Sequence, residues 1–165
     1  MNLVLAALVP GNRAVCQVAM HTGLRVGDIV AIPRSKLSRC FWVTEQKTGK
    51  RKQVGLPDWL LDDIREQAGD SPWAFPGRDP AKHRTRQAVW KDLKRVQRAF
   101  RLPINVGTHS MRKEYAVELM RKYGELDRVK KALNHNSTTV TVIYAMADAL
   151  TQSAAKRRSV SPRKR

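Results

Sequence analysis

The chain has 165 residues, 42% hydrophobic and 28% charged, enough for one domain with a real core and too few for two ordinary ones. Its 32 Lys and Arg against 14 Asp and Glu give a net charge of +18, an excess that repels itself in the compact state and points to a polyanionic partner. No stretch sets Trp and Phe against a basic face along a long amphipathic helix, which disfavours an anionic membrane and leaves nucleic acid.

The apolar opening Met1 to Pro10 has no basic leader and is too short to span a bilayer. It reads as the end of a packed helix, as if the chain began inside a larger domain. Residues 13–21 carry apolar groups at helical spacing with Gly23 as a stop, and Val26 to Ile32 resume an apolar helix closed by Pro33. Cys16 and Cys40 form no Cys-x-x-Cys pair, so they read as two buried thiols in a reducing cytosol and as no metal site. The period then changes. Phe41 to Glu45 and Lys52 to Leu56 read as two short strands around the turn Lys47-Thr-Gly-Lys50. Asp58 is expected to cap a helix running to about Ala68, with Leu60, Leu61 and Ile64 facing inward.

Turn formers fill residues 69–82. From Arg84 to Arg101 a helix sets Val89, Leu93, Val96 and Phe100 on one face and Arg84, Lys91, Arg95 and Arg98 on the other, a basic side that reads either as a solvated face or as one that tracks a phosphate backbone. Trp42, Trp59, Trp73 and Trp90 read as core or hairpin packing, and neither His21 nor His83 belongs to a motif. After Pro103 a loop leads to helices from about His109 to Lys122 and from Glu125 to Leu133. Asn134 suits the left-handed residue at the end of the second, and the next turn presents His135. Thr138 to Tyr144 is rich in β-branched residues, and propensity alone makes it a strand. The tail from Thr151 to Arg165 holds six basic residues and no acidic ones, and is expected to be disordered in isolation.

One ordered set of residues carries chemistry: Thr22-Gly-Leu-Arg25 with Asp28, Lys47 in the hairpin, His109-Ser-Met-Arg112, Leu133-Asn-His135, and Tyr144. Breaking a phosphodiester without a metal needs a nucleophile, positive charge on the non-bridging oxygens and an acid for the leaving oxygen. A phenol can store the bond as an ester, an arginine fork matches phosphate, and Lys or His can move the protons. In order and spacing the set resembles the catalytic constellation of the tyrosine recombinases, the phage-integrase family, over about Ala14 to Ala145.

The resemblance implies a mainly α-helical catalytic domain with a small antiparallel β-sheet (α+β) over residues 1–150, followed by the basic tail 151–165. Arg25 and Arg112 would clamp the scissile phosphate, with Asp28 supporting the first. His109 would be the general base, and His135 would hydrogen-bond the phosphate. Tyr144 would be the nucleophile of a 3′-phosphotyrosyl intermediate, on a short helix capped near Ser137 that overrides strand propensity. Lys47 would protonate the departing 5′ oxygen, with Lys50 the competing choice on the same hairpin. Lys113-Glu114 and Asn134 depart from the family's flanking pattern without removing a catalytic group. The family's catalytic domain normally follows a helical core-binding domain, which is expected to be missing here.

The expected activity is site-specific DNA recombination without metal, cofactor or small-molecule substrate. It would act on double-stranded attachment sites, as a homotetramer on DNA and a monomer when free, in the cytoplasm and away from membranes. Lys50, Arg51, Lys52, Arg84, Arg95 and Arg98 are the expected DNA contacts. Two other readings use the same residues: a type IB topoisomerase-like strand cleavage, and a non-catalytic basic DNA-binding remnant.

Overall fold

Pro10, which ends the apolar opening in sequence, starts a helix in the computed structural model, which describes residues 2–133. Proline loses nothing at the first helical position, where its missing N–H has no intrahelical partner and its φ is already set. Helix α1 (Asn2–Ala6) precedes it, and α2 (Pro10–Thr22) stops at Gly23, whose φ of +66° lets its N–H reach the Ala19 carbonyl at 2.9 Å. Then come α3 (Val26–Val30), a short 3₁₀ turn (Arg34–Lys36), strands β1 (Cys40–Thr44) and β2 (Arg51–Gly55), α4 (Asp58–Ala68), α5 (Arg86–Ala99), α6 (Thr108–Tyr123) and α7 (Leu126–Ala132).

The two strands pair antiparallel, Phe41 opposite Val54 and Val43 opposite Lys52. Their alternation turns Phe41, Val43 and Val54 inward. The expected fold class, mainly helical with a small antiparallel sheet, is what forms. The chain divides into two compact units, Met1–Tyr115 and Ala116–Arg165. In the first, α2 contributes Val15, Cys16, Val18 and Ala19 to a single core. Leu24, Ile29, Leu60, Ile64, Val89, Leu93, Val96 and Met111 complete it, all essentially inaccessible. In the second, Gly124, with φ of +67°, closes α6 onto the Met120 carbonyl at 2.8 Å before α7 begins, and Ala116, Val129 and Leu133 are buried. Asn134, His135, the segment from Thr138 to Tyr144 and the basic tail lie outside the described residues.

Several local expectations are corrected. Asp58 does not cap α4. Pro57 holds the cap position, and the Asp58 carboxylate pairs with Arg39 instead. Helix α5 starts two residues late because Thr85 is its cap, accepting the Ala88 N–H at 3.1 Å, which leaves Arg84 outside the helix. Cys16 is buried, its thiol pushed up to about 12 by burial and then by the charge of Asp92, whereas Cys40 is exposed at the start of β1. Trp42, Trp59 and Trp90 are about half exposed, at 49%, 54% and 46%, so none is the core residue its size suggests. Among the described residues, no helix is long and apolar enough to cross a membrane.

Candidate active site

Leu24, wholly buried, anchors the turn after α2, and Arg25 follows in extended backbone at the cap of α3. That placement frees the Arg25 side chain from the helix. Its guanidinium donates to Glu45 Oε2 at 2.6 Å, the arginine one-quarter exposed and the glutamate 1% exposed. Thr48 Oγ1 donates to the same carboxylate oxygen at 2.8 Å. Asp28, one turn along α3 and also buried, accepts the Gln46 N–H at 2.9 Å. The β1–β2 turn is closed by two backbone bonds, Glu45 N–H to Lys50 O at 2.9 Å and Gly49 N–H to Glu45 O at 2.8 Å, with Gly49 at a φ of +67°.

Arg112, near the start of α6, is buried and donates to the Gly23 carbonyl. Lys52 on β2 donates to the neighbouring Thr22 carbonyl, with its ammonium 5.1 Å from the Tyr115 ring centre. The segment bearing Arg25 is therefore gripped from the hairpin and from α6.

Above this floor opens a cleft of about 460 Å³, whose walls include Arg25, Gln46, Lys47, Trp90, His109 and Arg112. Four of the six residues expected to do chemistry thus share one cavity, although Arg25 and Arg112 are far apart in sequence. Lys47 lines the cleft and the exposed Lys50 does not. His135 and Tyr144 are outside the described residues.

Charge in the cleft is finely set. Partial burial lowers the His109 pKa, and the charges of Arg112, Arg25, Arg86 and Lys113 lower it further, so its imidazole is neutral near pH 7 and able to accept a proton. Burial alone would raise the Glu45 carboxyl. Hydrogen bonds from Thr48 and Arg25, with the charges of Arg25 and Arg112, outweigh it and hold the group below its ordinary value. Asp28 goes the other way: burial raises it, and the Gln46 N–H only partly compensates. Lys52 is lowered to about 8 by burial and by Arg112. Among the described residues, no group of three His, Cys, Asp or Glu is placed to hold a metal.

The expected DNA contacts divide. Lys50, Arg51 and Arg98 are exposed, Arg51 lying 5.1 Å over the Trp42 ring. Arg84 is half-buried and donates to Asn12 Oδ1 at 3.0 Å, and Lys52 is committed to the cleft floor, so neither stands on an open basic surface. Arg95 reaches back to Asp92 Oδ1 at 2.8 Å and the Ala7 carbonyl at 2.7 Å, tying α5 to the end of α1. Arg84 and Lys52 are long enough to find acceptors inside the fold, whereas Arg95 makes its contacts at the surface and stays exposed.

Arg86, Gln87 and Trp90 line the cleft without having been singled out by sequence. Arg86 and Trp90 are spaced i, i+4, a signal obscured when the helix is started at Arg84 and the Trp is read as core.

Residues 7–150 match the family model of the phage integrase family. The chain belongs to the phage integrase family. Among curated relatives, tyrosine recombinase XerD of Rhizobium meliloti (strain 1021) is 29% identical over 143 residues, covering 79% of this chain and 45% of the relative. The probable integrase/recombinase YoeC of Bacillus subtilis (strain 168) is 25% identical over 141 residues, covering 82% of this chain and 77% of the relative. XerD of Bradyrhizobium diazoefficiens is 30% identical over 145 residues, covering 78% and 46%. The phage integrase chain described here spans about half the length of the two XerD relatives. Its fold matches that of a lambda integrase dimer bound to a COC′ core site, with a TM-score of 0.74 at 19% identity over 87% of this chain and 45% of the other. It also matches the lambda integrase catalytic core, with a TM-score of 0.70 at 18% identity over 81% and 86%. At such identities the likeness establishes the phage integrase catalytic fold alone.

Proposed function

We propose that this chain carries the catalytic machinery of a site-specific DNA recombinase that cuts and rejoins strands through Tyr144. The observation that carries the reading is the shared cleft, in which Arg25, Lys47, His109 and Arg112 meet. The family match and the names of the relatives, tyrosine recombinases and integrases, support it.

In this reading Arg25 and Arg112 bind the non-bridging oxygens of the scissile phosphate, with His135 adding a hydrogen bond. His109, neutral at pH 7, takes the phenolic proton as the Tyr144 oxygen attacks phosphorus. The bond from phosphorus to the 5′ oxygen breaks, and Lys47 delivers a proton to that oxygen. A 3′-phosphotyrosyl ester and a free 5′ hydroxyl remain. Attack by the 5′ hydroxyl of a second strand reverses the steps and releases Tyr144, so the energy of the phosphodiester is conserved throughout.

Double-stranded DNA is the substrate, and exchange between two duplexes requires four copies, each supplying one nucleophile. Neighbours of the same fold include a lambda integrase tetramer bound to a Holliday junction, which supports that assembly. Exposed Lys50, Arg51 and Arg98 add phosphate contacts that weaken steeply with salt. The reaction takes place in the cytoplasm, where bacterial DNA is accessible.

The test is a library of nicked duplexes with randomised sequence, incubated with the chain in EDTA and then denatured. A detergent-resistant protein–DNA adduct is expected, absent in Tyr144→Phe. Bound duplex without any adduct would replace the enzyme with a non-catalytic DNA-binding protein. An adduct that never passes its strand to a second duplex would indicate topoisomerase-like cleavage.

A further inference from the structure

We propose that Glu45 is a positioning residue that couples the phosphate clamp Arg25 to the turn carrying Lys47, setting the proton donor only where the clamp is in place. The inference rests on the recombinase reading and adds to it a residue that touches neither phosphate nor leaving group.

Strand alternation predicts the unusual placement. β1 runs exposed, buried, exposed, buried, exposed from Cys40 to Thr44, so the next residue, Glu45, turns inward and is 1% exposed. A carboxylate there needs partners, since an unpaired buried charge is expelled or neutralised. Its Oε2 meets both Arg25, at 2.6 Å, and the Thr48 hydroxyl, at 2.8 Å. Thr48 directly follows Lys47. Gln46, directly before Lys47, is held through its N–H by Asp28 Oδ1 at 2.9 Å. The backbone of Glu45 itself closes the turn on Lys50 and Gly49.

Lys47 is thus bracketed on both sides by residues fastened to two acids, one of them in direct contact with the clamp. A lysine on an otherwise exposed two-stranded hairpin would sample many orientations. Fastening its neighbours to Glu45 and Asp28 restricts that freedom and aims the side chain at the cleft it lines. A glutamate needed only to satisfy the interior would have no reason to spend one oxygen on both the clamp and the turn. Its other oxygen, Oε1, has no hydrogen-bond partner among the described residues.

The test separates proton donation from general loss of structure. A duplex bearing sulfur at the 5′ bridging position releases a thiolate, and cleavage of that phosphorus–sulfur bond needs no proton at the leaving group. Single-turnover cleavage of oxygen and sulfur substrates, carrying a sequence recovered from the randomised library, is compared for the wild type, Lys47→Ala, Arg25→Ala, Glu45→Gln and Thr48→Val. Thr48→Val keeps every charge and removes only the hydroxyl, and circular dichroism checks the fold of each variant. Glu45→Gln and Thr48→Val are expected to cleave the oxygen substrate roughly tenfold to a hundredfold more slowly. Both are expected to approach wild-type rates on the sulfur substrate, as Lys47→Ala does, while Arg25→Ala stays slow on both. Equal losses on the two substrates in Glu45→Gln and Thr48→Val, with Lys47→Ala rescued, overturn the coupling and leave the recombinase reading intact. A wild type that cleaves neither substrate overturns that reading and the coupling together.

Discussion

Replacing Arg25 by Ala removes the guanidinium bonded to Glu45 and leaves behind a carboxylate that is 1% exposed. Two unit charges about 4 Å apart attract by about 4 kcal/mol at an effective dielectric near 20, and desolvation of the glutamate offsets part of this. Breaking a buried pair from one side typically costs about 3–5 kcal/mol. Arg25 is one-quarter exposed and the Thr48 hydroxyl remains on Oε2, so the expected loss is about 2–3 kcal/mol, a large share of a typical folding free energy.

The pH dependence is the sharper signature. In the wild type the Glu45 pKa is held below 4.5, so its ionisation adds stability that is present above 4.5 and lost as pH falls through the folded value. Without Arg25, burial is opposed by Thr48 and the charge of Arg112 alone, and the folded pKa rises from its wild-type position. The variant then lacks part of the stability that ionised Glu45 gives the wild type above pH 4.5, about 1.4 kcal/mol for each unit by which its folded pKa has risen. Urea unfolding followed by tryptophan fluorescence at pH 4.5 and pH 7 measures both effects. The Arg25→Ala deficit should be larger at pH 7, and adding Glu45→Gln should restore at least half of it. A deficit equal at both pH values, or a double variant no more stable than the single, refutes the buried-pair account.

Two further outcomes rest on other contacts. Because His109 is held below its ordinary value of 6.5, single-turnover cleavage should stay level from pH 7 down to that lowered pKa and then fall as the imidazole gains its proton; His109→Ala should be slower throughout and lack this acid limb. A methyl group at Gly11 would push aside the Arg84 guanidinium, the far end of a flexible side chain, and cost it the bond to Asn12; with the helix preference for alanine in partial compensation, Gly11→Ala should cost at most about 1 kcal/mol in urea unfolding, and Gly11→Ala added to Arg84→Ala should cost nothing further.

The helices were legible because their apolar spacing is strong and their stops are chemical. Gly23 ends α2, and the Leu60, Leu61 and Ile64 face of α4 turns inward as expected. Starts were less legible. Pro10 can end one helix or begin another, and only the packing of α2 decides between them, while the Thr85 cap competes with Arg84 as a beginning. At the site, motif order singled out Arg25, Lys47, His109 and Arg112, which the fold brings to one cleft. It missed Glu45, because a glutamate after a strand reads as a solvated turn residue until the burial alternation is carried one position further. It over-read Arg84 and Lys52 as surface cations, since a count of positive charges says nothing about which of them find internal carbonyls or amides.

That distinction explains how a chain of +18 keeps so many cations around one cleft. Arg25, Lys47, Arg86 and Arg112 all line it, with Lys52 beneath, and unliganded they repel one another. The fold answers with two buried acids and two carbonyls. Glu45 holds Arg25, Asp28 raises the negative charge under the hairpin, and the oxygens of Thr22 and Gly23 take Lys52 and Arg112. These oxygens hold Arg25 and Arg112 within the cleft where the proposed reading has the two arginines meet a phosphate. The cost falls on the groups least able to keep their charge. Burial first, and the neighbouring cations after it, lower Lys52 to about 8 and His109 below 6.5, which leaves His109 neutral near pH 7 for the role proposed for it.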